Sequence, residues 1–538
     1  MSASEPGPSN TPFRADPRAV VALCVLGLAL RVAALRSFAD HPSFVHHRLD
    51  ARLFHEAGLR LASGDLSFGS EAFHMSPLYQ GFVGLVYSTL GSGPYALRLC
   101  QVALGLCTIA CVYLACGRLF GSRWALAGGV LAALYGPFVF YEEQLLVASV
   151  ATTLSASLLA VAVRAQRPRD FAWAGVLLGL STLARPNALL LGLPLLLLGR
   201  RPRCLLSLSA ATLLVVLPVT VRNRVVAGDW ILVTDAGGLN FFIGNGPGAN
   251  GTFRVPPEVP DATSAETQFA AFGRIAVARA GHPLTPREVD TFWYAETAAH
   301  VRAHPFAWLR LCAEKAWLTV SARELPSSED YEFMRTQSRV LAAPLVQIGW
   351  LSPLAMLGVF HLVRRGRREA LVALGLGCWA AALVGFFVLS HYRLPLVPWL
   401  MVAAVAGARG VGAAWPRRSA LLAQGLVLSL GGLLAYTPKL PKTFADELYK
   451  LGYAHQTLGH AGQAASAYEE ALRLEPDHLS TLNNLASLSE ERGEVGRARE
   501  LWRAVERVAT ARASATHVER ARRHLAALDR APAVPGVR

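Results

Sequence analysis

The sequence predicts an all-α polytopic membrane protein with a soluble helical domain at its C-terminus. Of its 538 residues, 53% are hydrophobic and 17% are charged, whereas soluble proteins carry about a quarter of charged residues. The apolar residues are gathered in runs of about 17 to 23, long enough to cross ~30 Å of hydrocarbon as helices. From residue 445 the composition changes to a charged, alanine-rich helical pattern.

The apolar runs predict about 11 membrane-spanning helices, or up to about 13 if short runs are counted separately. Residues 77–91 are apolar but too short for a span, which favours a re-entrant or interfacial segment. The fifth and sixth runs are also compatible with one hairpin broken around Arg185 and Pro186. The predicted spans are 19–38, 95–117, 122–140, 144–164, 170–185, 187–199, 203–221, 341–363, 369–390, 394–410 and 418–437.

The arginines predict the orientation of these spans. Every second short connection is rich in arginine, as in the run RRGRR at 364–368, and the positive-inside rule puts such connections in the cytoplasm. The tail 1–18 is then cytoplasmic, and a first loop 39–94, a large loop 222–340 and the C-terminus are external. We expect a bacterial inner-membrane protein with these parts in the periplasm. The net charge of +15 reflects topology rather than nucleic-acid binding.

No metal or nucleotide site is predicted. Most of the eight cysteines lie in or beside apolar runs and none forms a CxxC pair. His46, His47, His55 and His74 share the first loop but lack HxxxH or HxH spacing. The Walker spacing is absent from the sequence, and the GxGxxG spacing at 246–251 lies in a glycine-rich stretch that favours tight turns rather than a phosphate cradle. Whether a divalent ion assists the protein is not evident from these patterns.

The C-terminal segment predicts tetratricopeptide repeats. Gly452 and Tyr468 recur as Ala486 and Trp502 at the repeat period of about 34 residues, with small residues where helices touch. The predicted parts are a linker 438–444, a domain 445–530 with repeats 445–478 and 479–512, and a capping helix 515–529. Such an array is typical of a docking platform for a protein partner. A stabilising appendage without a partner is the alternative.

A few polar residues at the predicted outer face are candidates for chemistry, because polar groups near a bilayer are costly. Asp50 opens an amphipathic helix that would lie on the membrane surface; it is either an N-cap or a catalytic carboxylate. Glu142 and Glu143, at the exit of the third span, are either functional or a solvated helix boundary.

Arginines near the same face have two interpretations. Arg393, with His391 and Tyr392, is suited to a lipid phosphate because guanidinium offers a planar fork of donors; snorkelling of Arg393 to the headgroups is the alternative. For Arg185 and Arg222 snorkelling is the favoured interpretation.

The large loop predicts mixed structure. Its first part, through Phe253, alternates apolar and polar residues and contains Gly-Gly, Asn-Gly and Pro-Gly pairs, which favours strands and tight turns. Two amphipathic helices are predicted after it, at about 286–303 and 305–321, the second begun by Pro305.

Several stretches, in this order, resemble the C-type (GT-C) glycosyltransferases. They are "LDARLFHEAGLRLASGD" at 49–65, "SPLYQGFVGLVYSTLG", "ALYGPFVFYEEQLL", "GLSTLARPNALLLGLPLLLL" and "HYRLPLVPWL". The likeness is to the bacterial branch related to protein O-mannosyltransferases and aminoarabinose transferases, in the form with a tetratricopeptide tail. It implies a GT-C-like membrane domain at 19–437.

The resemblance also implies an activity and roles for residues. It implies inverting transfer of a sugar, on the outer face, from a polyprenyl-phosphate donor to a protein or envelope-glycan acceptor. Asp50 would be the general base; Arg393, His391 and Tyr392 would bind the donor phosphate. Glu142, Glu143 and His74 would position acceptor or donor. "FHMSP" at 73–77 stands where aminoarabinose transferases have Glu-Lys-Pro-Pro, which argues against that sugar and lipid A.

Two other functions remain open at this point. An outer-face polymerase or ligase of lipid-linked polysaccharide would use a diphosphate donor and give Arg222 a role. A non-catalytic lipid or glycan transporter with a tetratricopeptide scaffold should show repeated helix halves; the sequence shows no such symmetry.

Overall fold

The computed structural model describes residues 13–256, 259, 265–326, 329–414, 418–437, 443–512 and 514–530. It divides into two compact units: Met1–Ser37 with Arg48–Thr437, and Phe38–His47 with Pro438–Arg538. Most of the predicted linker 438–444, and the tail before residue 13, lie outside the described residues. Over the described ranges the regular structure is helical, with one isolated bridge between Tyr135 and Val346.

In the first unit, the described residues form 21 α-helices. Those before the large loop are α1 (Pro17–Phe38), α2 (Asp50–Ala62), α3 (Pro77–Leu90), α4 (Ala96–Phe120), α5 (Ser122–Ala133), α6 (Gly136–Glu142), α7 (Ala148–Ala162), α8 (Pro168–Ala184), α9 (Gly192–Leu198) and α10 (Pro202–Ala227). Those within the large loop are α11 (Gly237–Asn245), α12 (Ala265–Ala280), α13 (Pro286–Ala303), α14 (Pro305–Val320) and α15 (Tyr331–Gln337). The remainder are α16 (Arg339–Ala342), α17 (Ile348–Arg365), α18 (Arg367–Gly385), α19 (Ser390–Arg393), α20 (Val397–Ala414) and α21 (Arg418–Tyr436).

Six of the described helical stretches are long and apolar enough to cross a membrane. They are Pro17–Phe38, Ala96–Phe120, Pro202–Ala227, Arg367–Gly385, Ser390–Ala414 and Ser419–Tyr436. Shorter apolar helices lie at Ala148–Ala162 and Pro186–Leu198. The predicted all-α polytopic fold class is confirmed, while the number of spans stays a prediction.

Two predicted spans are interrupted. The predicted span 122–140 is two helices, because the chain bends at Tyr135, where the amide of Gly136 donates to the carbonyl of Val346 at 3.0 Å. The predicted span 187–199 begins with a 3₁₀ helix, Pro186–Leu191. Pro186 has no amide proton and disfavours helical backbone at Arg185, so α8 cannot continue through it.

Helices α2 and α3 pack tightly against each other. A Cβ at Gly58 would lie 2.4 Å from Val83, and a Cβ at Gly84 would lie 2.6 Å from Leu61. His55 Nδ1 and the Tyr87 hydroxyl are 2.8 Å apart. With 14 residues, α3 is about 21 Å long at 1.5 Å per residue, too short for a span. These contacts fix α2, and with it the backbone of Asp50, against α3.

The prediction of strands in the large loop is wrong for the residues that the structure describes. The glycine pair at 237–238, expected in a turn, begins helix α11. A Cβ at Gly238 would lie 2.0 Å from the carbonyl oxygen of Asp290. These glycines therefore serve close packing of α11 on α13, which a pattern of turn residues does not distinguish from a hairpin. The bounds of α13 and α14 agree with the two predicted amphipathic helices.

The second unit contains five α-helices in its C-terminal part: α22 (Ala445–Thr457), α23 (Ala461–Leu474), α24 (Leu479–Glu491), α25 (Val495–Ala511) and α26 (Ala515–Arg530). A Cβ at Gly452 would lie 2.6 Å from the Tyr468 ring. Trp502 is fully buried, and its ring stacks on His524 of α26 at 4.3 Å. The helix bounds agree with those expected of two helix pairs and a capping helix, and their assignment as tetratricopeptide repeats stays a prediction.

Candidate active site

Asp50 lies at the first position of α2, and the structure does not use it as a cap. The N-cap residue is Leu49, and no side chain caps this helix end. Among the described residues the Asp50 carboxylate has no hydrogen-bond or ion-pair partner. The alternative role of Asp50 as a helix cap is therefore excluded by the geometry.

The backbone that leads into Asp50 is strained. Leu49 has a φ of 49°, one of two non-glycine residues with positive φ. Such a conformation costs about 1–3 kcal/mol and persists only where the surroundings impose it. Leu49 is the N-cap of α2, so the strained backbone lies directly before the Asp50 carboxylate.

Arg185 acts electrostatically on Asp50. Burial raises the pKa of the Asp50 carboxyl, and the positive charge of Arg185 opposes that rise in part. The two side chains are close enough to interact but form no direct ion pair in the described structure. A carboxylate with a raised pKa is a better proton acceptor than an ordinary one.

Arg185 is held by residues 391–393, His-Tyr-Arg, which we call the HYR motif. It follows α8, and its Nη2 donates to the carbonyl of His391 at 3.3 Å. Its guanidinium lies 4.2 Å over the ring of Tyr392. Its Nε is buried and has no hydrogen-bond partner. The predicted snorkelling of Arg185 is therefore wrong: the side chain packs inward and still has N–H groups to donate.

Arg393, the predicted phosphate ligand, is occupied by protein groups. It is 1% exposed, and its Nη2 lies 2.8 Å from the carboxylate of Glu324. The same guanidinium donates to the carbonyls of Leu318, Ser321 and Arg323. This arrangement ties the loop after α14 to α19, and snorkelling does not describe it either. The geometry favours a structural role for Arg393 over binding a lipid phosphate.

His391 and Tyr392 are positioned by their neighbour Ser390. The amide of Ser390 donates to the Leu325 carbonyl at 2.9 Å, and the Leu325 amide donates to the Ser390 hydroxyl at 2.6 Å. His391 is buried and Tyr392 is half-buried. Of the HYR motif, the carbonyl of His391 and the ring of Tyr392 contact Arg185, whose charge acts on Asp50.

Glu142 is committed to a buried ion pair. Arg31 Nε and Nη2 lie 2.5 and 2.9 Å from its two carboxylate oxygens, and both side chains are buried. Gly105 allows this approach, since a Cβ there would lie 2.2 Å from the carboxylate. The predicted solvated boundary is wrong, because Glu142 joins α6 to α1 inside the protein. Its predicted role in positioning substrate is not favoured.

Removing one partner of this pair is expected to destabilise the protein strongly. We expect Glu142→Ala or Arg31→Ala to lower the free energy of unfolding by about 3–5 kcal/mol, since the remaining charge is buried alone. The double variant Arg31→Met/Glu142→Leu should recover most of that loss. Thermal unfolding in detergent measures both. As a control, Glu56→Ala removes the exposed ion pair with Arg52. A loss of unfolding free energy above about 1 kcal/mol in this variant would contradict the expected difference between buried and exposed ion pairs.

Gln101 supports the same region and was not identified from the sequence. It is fully buried, and its Oε1 accepts from the Tyr79 hydroxyl at 2.8 Å. Its Nε2 donates to the carbonyls of Glu142 and Gln144 at 2.8 and 2.9 Å. A glutamine in the middle of an apolar run is itself a signal, because a polar group there needs partners.

Glu143 differs from Glu142 in having no partner for its carboxylate. It is 2% exposed and neither oxygen is hydrogen-bonded. Burial raises its pKa to about 8, while Arg98 lowers it and Glu142 raises it. The side chain is therefore mostly protonated at neutral pH, and the structure does not bring it to Asp50 by any hydrogen bond.

His74 joins the first loop to the large loop. Its Nδ1 lies 2.5 Å from Asp235 and its Nε2 lies 3.2 Å from Glu71, and its ring stacks on Phe269 at 4.6 Å. Burial alone would lower the pKa of His74, but its hydrogen bonds to the two carboxylates raise it. A positively charged imidazole so held by two acids has no free donor for a phosphate, so a structural role is favoured.

Arg222, near the end of α10, also contacts the first loop. Its guanidinium donates to the carbonyls of four residues between 67 and 71 and lies 4.3 Å from the Phe73 ring. The predicted snorkelling of Arg222 is wrong, since these carbonyls take up its donors. Within the described ranges no group of three His, Cys, Asp or Glu side chains is placed to hold a metal ion.

A family model matches part of the chain. Residues 74–225 match the family described as dolichyl-phosphate-mannose-protein mannosyltransferase. The resemblance to C-type glycosyltransferases is confirmed. The prediction of an enzyme of the glycosyltransferase class agrees with this match. The matched segment contains Arg185 and Glu142 but neither Asp50 nor the HYR motif.

The solved structures that the chain resembles include one archaeal and one bacterial protein. The apo oligosaccharyltransferase of Archaeoglobus fulgidus is 13% identical, with a TM-score of 0.43 over 80% of this chain and 57% of that chain. ArnT from Cupriavidus metallidurans bound to undecaprenyl phosphate is 16% identical, with a TM-score of 0.36 over 82% of this chain and 88% of that chain. The chain thus spans little more than half the length of the oligosaccharyltransferase. No curated protein matches the chain in sequence.

Proposed function

We propose that the protein is an inverting glycosyltransferase of the outer face of the bacterial inner membrane. It transfers a sugar from a polyprenyl-phosphate donor to a hydroxyl group of a protein or an envelope glycan. The observation that carries this proposal is the nearness of the Asp50 carboxylate to the guanidinium of Arg185, which lies over the ring of Tyr392. The matched family is named for a lipid-phosphate-linked sugar, which supports the class of donor.

The chemistry follows from these positions. Asp50 accepts the proton of the acceptor hydroxyl while the acceptor oxygen attacks the anomeric carbon from the side opposite the phosphate. The bond between the anomeric carbon and the phosphate oxygen breaks, and the polyprenyl phosphate leaves with the electron pair. Arg185 stabilises the charge that grows on this phosphate, because charge-assisted guanidinium bonds are strong at a half-buried site. Attack from the opposite side inverts the anomeric configuration.

Arg185 replaces Arg393 in this proposal. Arg393 is held by Glu324 and by backbone carbonyls, and drawing it away from them would leave a buried carboxylate alone, which is costly. The Tyr392 ring keeps its predicted place at the phosphate by holding the guanidinium flat. His391 contributes its backbone carbonyl to the position of Arg185.

The donor experiment separates the proposal from its alternatives. Membranes that contain the protein are supplied with a labelled sugar on polyprenyl phosphate or on polyprenyl diphosphate, and transfer to envelope material is followed. Transfer from the monophosphate alone supports the proposal. Transfer only from the diphosphate supports a polymerase or ligase, for which Arg222 is not available since backbone carbonyls occupy it. Movement of intact lipid without transfer supports a transporter.

The rate of transfer should depend on the ionisation of Asp50. Because burial raises its pKa above the ordinary value of 3.8, and the base works only when ionised, activity is lost as the pH falls through the raised pKa. We expect the acidic limb of the single-turnover rate to lie above about pH 4. A limb at or below an ordinary carboxyl pKa would show that the base is solvated or is another group.

The C-terminal helices complete the proposal. We take them as tetratricopeptide repeats that bind a protein partner on the same side of the membrane as Asp50. The match of helix bounds to the predicted repeats supports this assignment.

A further inference from the structure

The segment that precedes Asp50 belongs to the C-terminal unit. Residues 38–47, which we call the loop anchor, form one compact unit with the helices after residue 438, although they follow α1 in the chain. The anchor contains a 3₁₀ helix, Pro42–Phe44, and this helix packs against α22. The C-terminal helices therefore share their compact unit with a segment of the first loop.

Buried aromatic side chains hold the loop anchor in place. Phe38 and Phe44 are each 4% exposed, whereas the adjacent Val45 is 53% exposed. The ring of His46 lies 5.9 Å from the ring of Tyr453 on α22. Burying one phenylalanine contributes about 1.5–3 kcal/mol, so two of them are enough to order a short segment.

His41 adds a polar part to the same contact. Its Nδ1 lies 2.7 Å from the Ser43 hydroxyl, which fixes the turn of the anchor. Burial and, to a smaller extent, the nearby His455 on α22 lower the pKa of His41 to about 4. The anchor thus presents an apolar face with an uncharged imidazole to the first C-terminal helix.

We propose that α22 is an intramolecular docking site for the loop anchor, and that this docking positions Asp50. The anchor ends at His47, so its docking fixes one end of the short chain that leads through strained Leu49 to the carboxylate. A partner that binds the C-terminal helices would then act on the loop that carries the base. The docking itself does not depend on the proposed function, whereas its expected effect on sugar transfer does.

Cross-linking in the full chain tests the docking without any activity. Cysteines replace His46 and Tyr453, a protease site is inserted at 438–442, and a short thiol-reactive cross-linker is added before cleavage. We expect the C-terminal fragment to stay with the membrane fragment in most of the double-variant protein. The single variants, each with the native cysteines, control for other cross-links. Release of the fragment at the level of the single variants would overturn the docking.

A matched pair of variants tests the effect on Asp50. Phe44→Asp removes the buried contact, and Val45→Asp places the same charge on the exposed neighbour. For Phe44→Asp we expect amide exchange in both 38–47 and α22 to rise at least about tenfold, and transfer to fall by a similar factor at unchanged donor affinity. Val45→Asp should change neither.

The possible results distinguish the docking, the positioning of Asp50 and the proposed function from one another. Unchanged exchange in both segments of Phe44→Asp overturns the docking. Faster exchange with normal transfer overturns the positioning of Asp50. If the unmodified protein transfers no sugar while the cross-link forms, the proposed function fails and the docking stands.

Discussion

Replacing Arg185 by Met is expected to abolish detectable transfer and to weaken binding of a polyprenyl phosphate by about thirtyfold to a few-thousandfold. Loss of a charge-assisted, bidentate-capable contact to phosphate at a half-buried site costs roughly 2–5 kcal/mol. Binding of the lipid to purified protein in detergent measures the effect. Arg185→Lys should recover only part of it, because an ammonium neither stacks on Tyr392 nor offers a planar fork.

The control for this variant is another arginine of the same region. Arg60 is exposed on α2, and Arg60→Gln should leave lipid binding unchanged. Equal losses in Arg185→Met and Arg60→Gln would show a general dependence on surface charge. Normal binding in Arg185→Met would remove Arg185 from the donor site.

Replacing Asp50 by Asn is expected to stop transfer while the donor still binds. An amide keeps the size of the carboxylate but cannot accept the proton, and removal of a general base lowers rates by about a hundredfold to ten-thousandfold. Because the Asp50 carboxylate has no hydrogen-bond partner to lose, the variant should fold normally. Single-turnover transfer from pre-bound, labelled donor measures the loss.

Asp50→Glu is the matched control. The longer carboxylate keeps the chemistry but displaces its oxygens, so a partial loss of rate is expected. Full activity of Asp50→Asn would exclude Asp50 as the base. Loss of donor binding together with transfer would instead indicate that Asp50 shapes the site.

The sequence singles out Asp50, but not Arg185, the arginine whose charge acts on it in the structure. A carboxylate at the start of an amphipathic helix beside an apolar run is visible in the chain. Arg185 has the local pattern of a snorkelling arginine, and what makes it different is Tyr392, more than 200 positions away. Arg393 is predicted as the phosphate ligand because an arginine at the outer interface offers a planar fork of donors, yet residues next to each other on a helix point in directions about 100° apart. The structure directs Arg393 inward to Glu324.

The helical fold could be predicted from the sequence, but the breaks in its helices and the contacts between them could not. Long apolar runs can only be helices in a bilayer, since backbone groups must be satisfied within the segment. The bend at Tyr135 is instead joined to Val346 by two backbone hydrogen bonds, which involve Leu134 and Gly136. The glycines at 237–238 were expected in a turn, because composition alone does not tell close helix packing from a tight turn. The burial of Glu142 depends on Arg31, 111 positions earlier in the chain.

The central claim is that Asp50 and Arg185 face the same lipid phosphate, and a double-mutant cycle on the affinity for polyprenyl phosphate tests it most directly. If the claim is right, Asp50→Asn removes a negative charge near the phosphate and binds the lipid about threefold to tenfold more tightly than the unmodified protein. In the Arg185→Met background, where the phosphate is no longer held near Asp50, that gain should shrink to little or nothing. Equal affinities of the unmodified protein and Asp50→Asn, or the same gain in both backgrounds, would contradict a shared site.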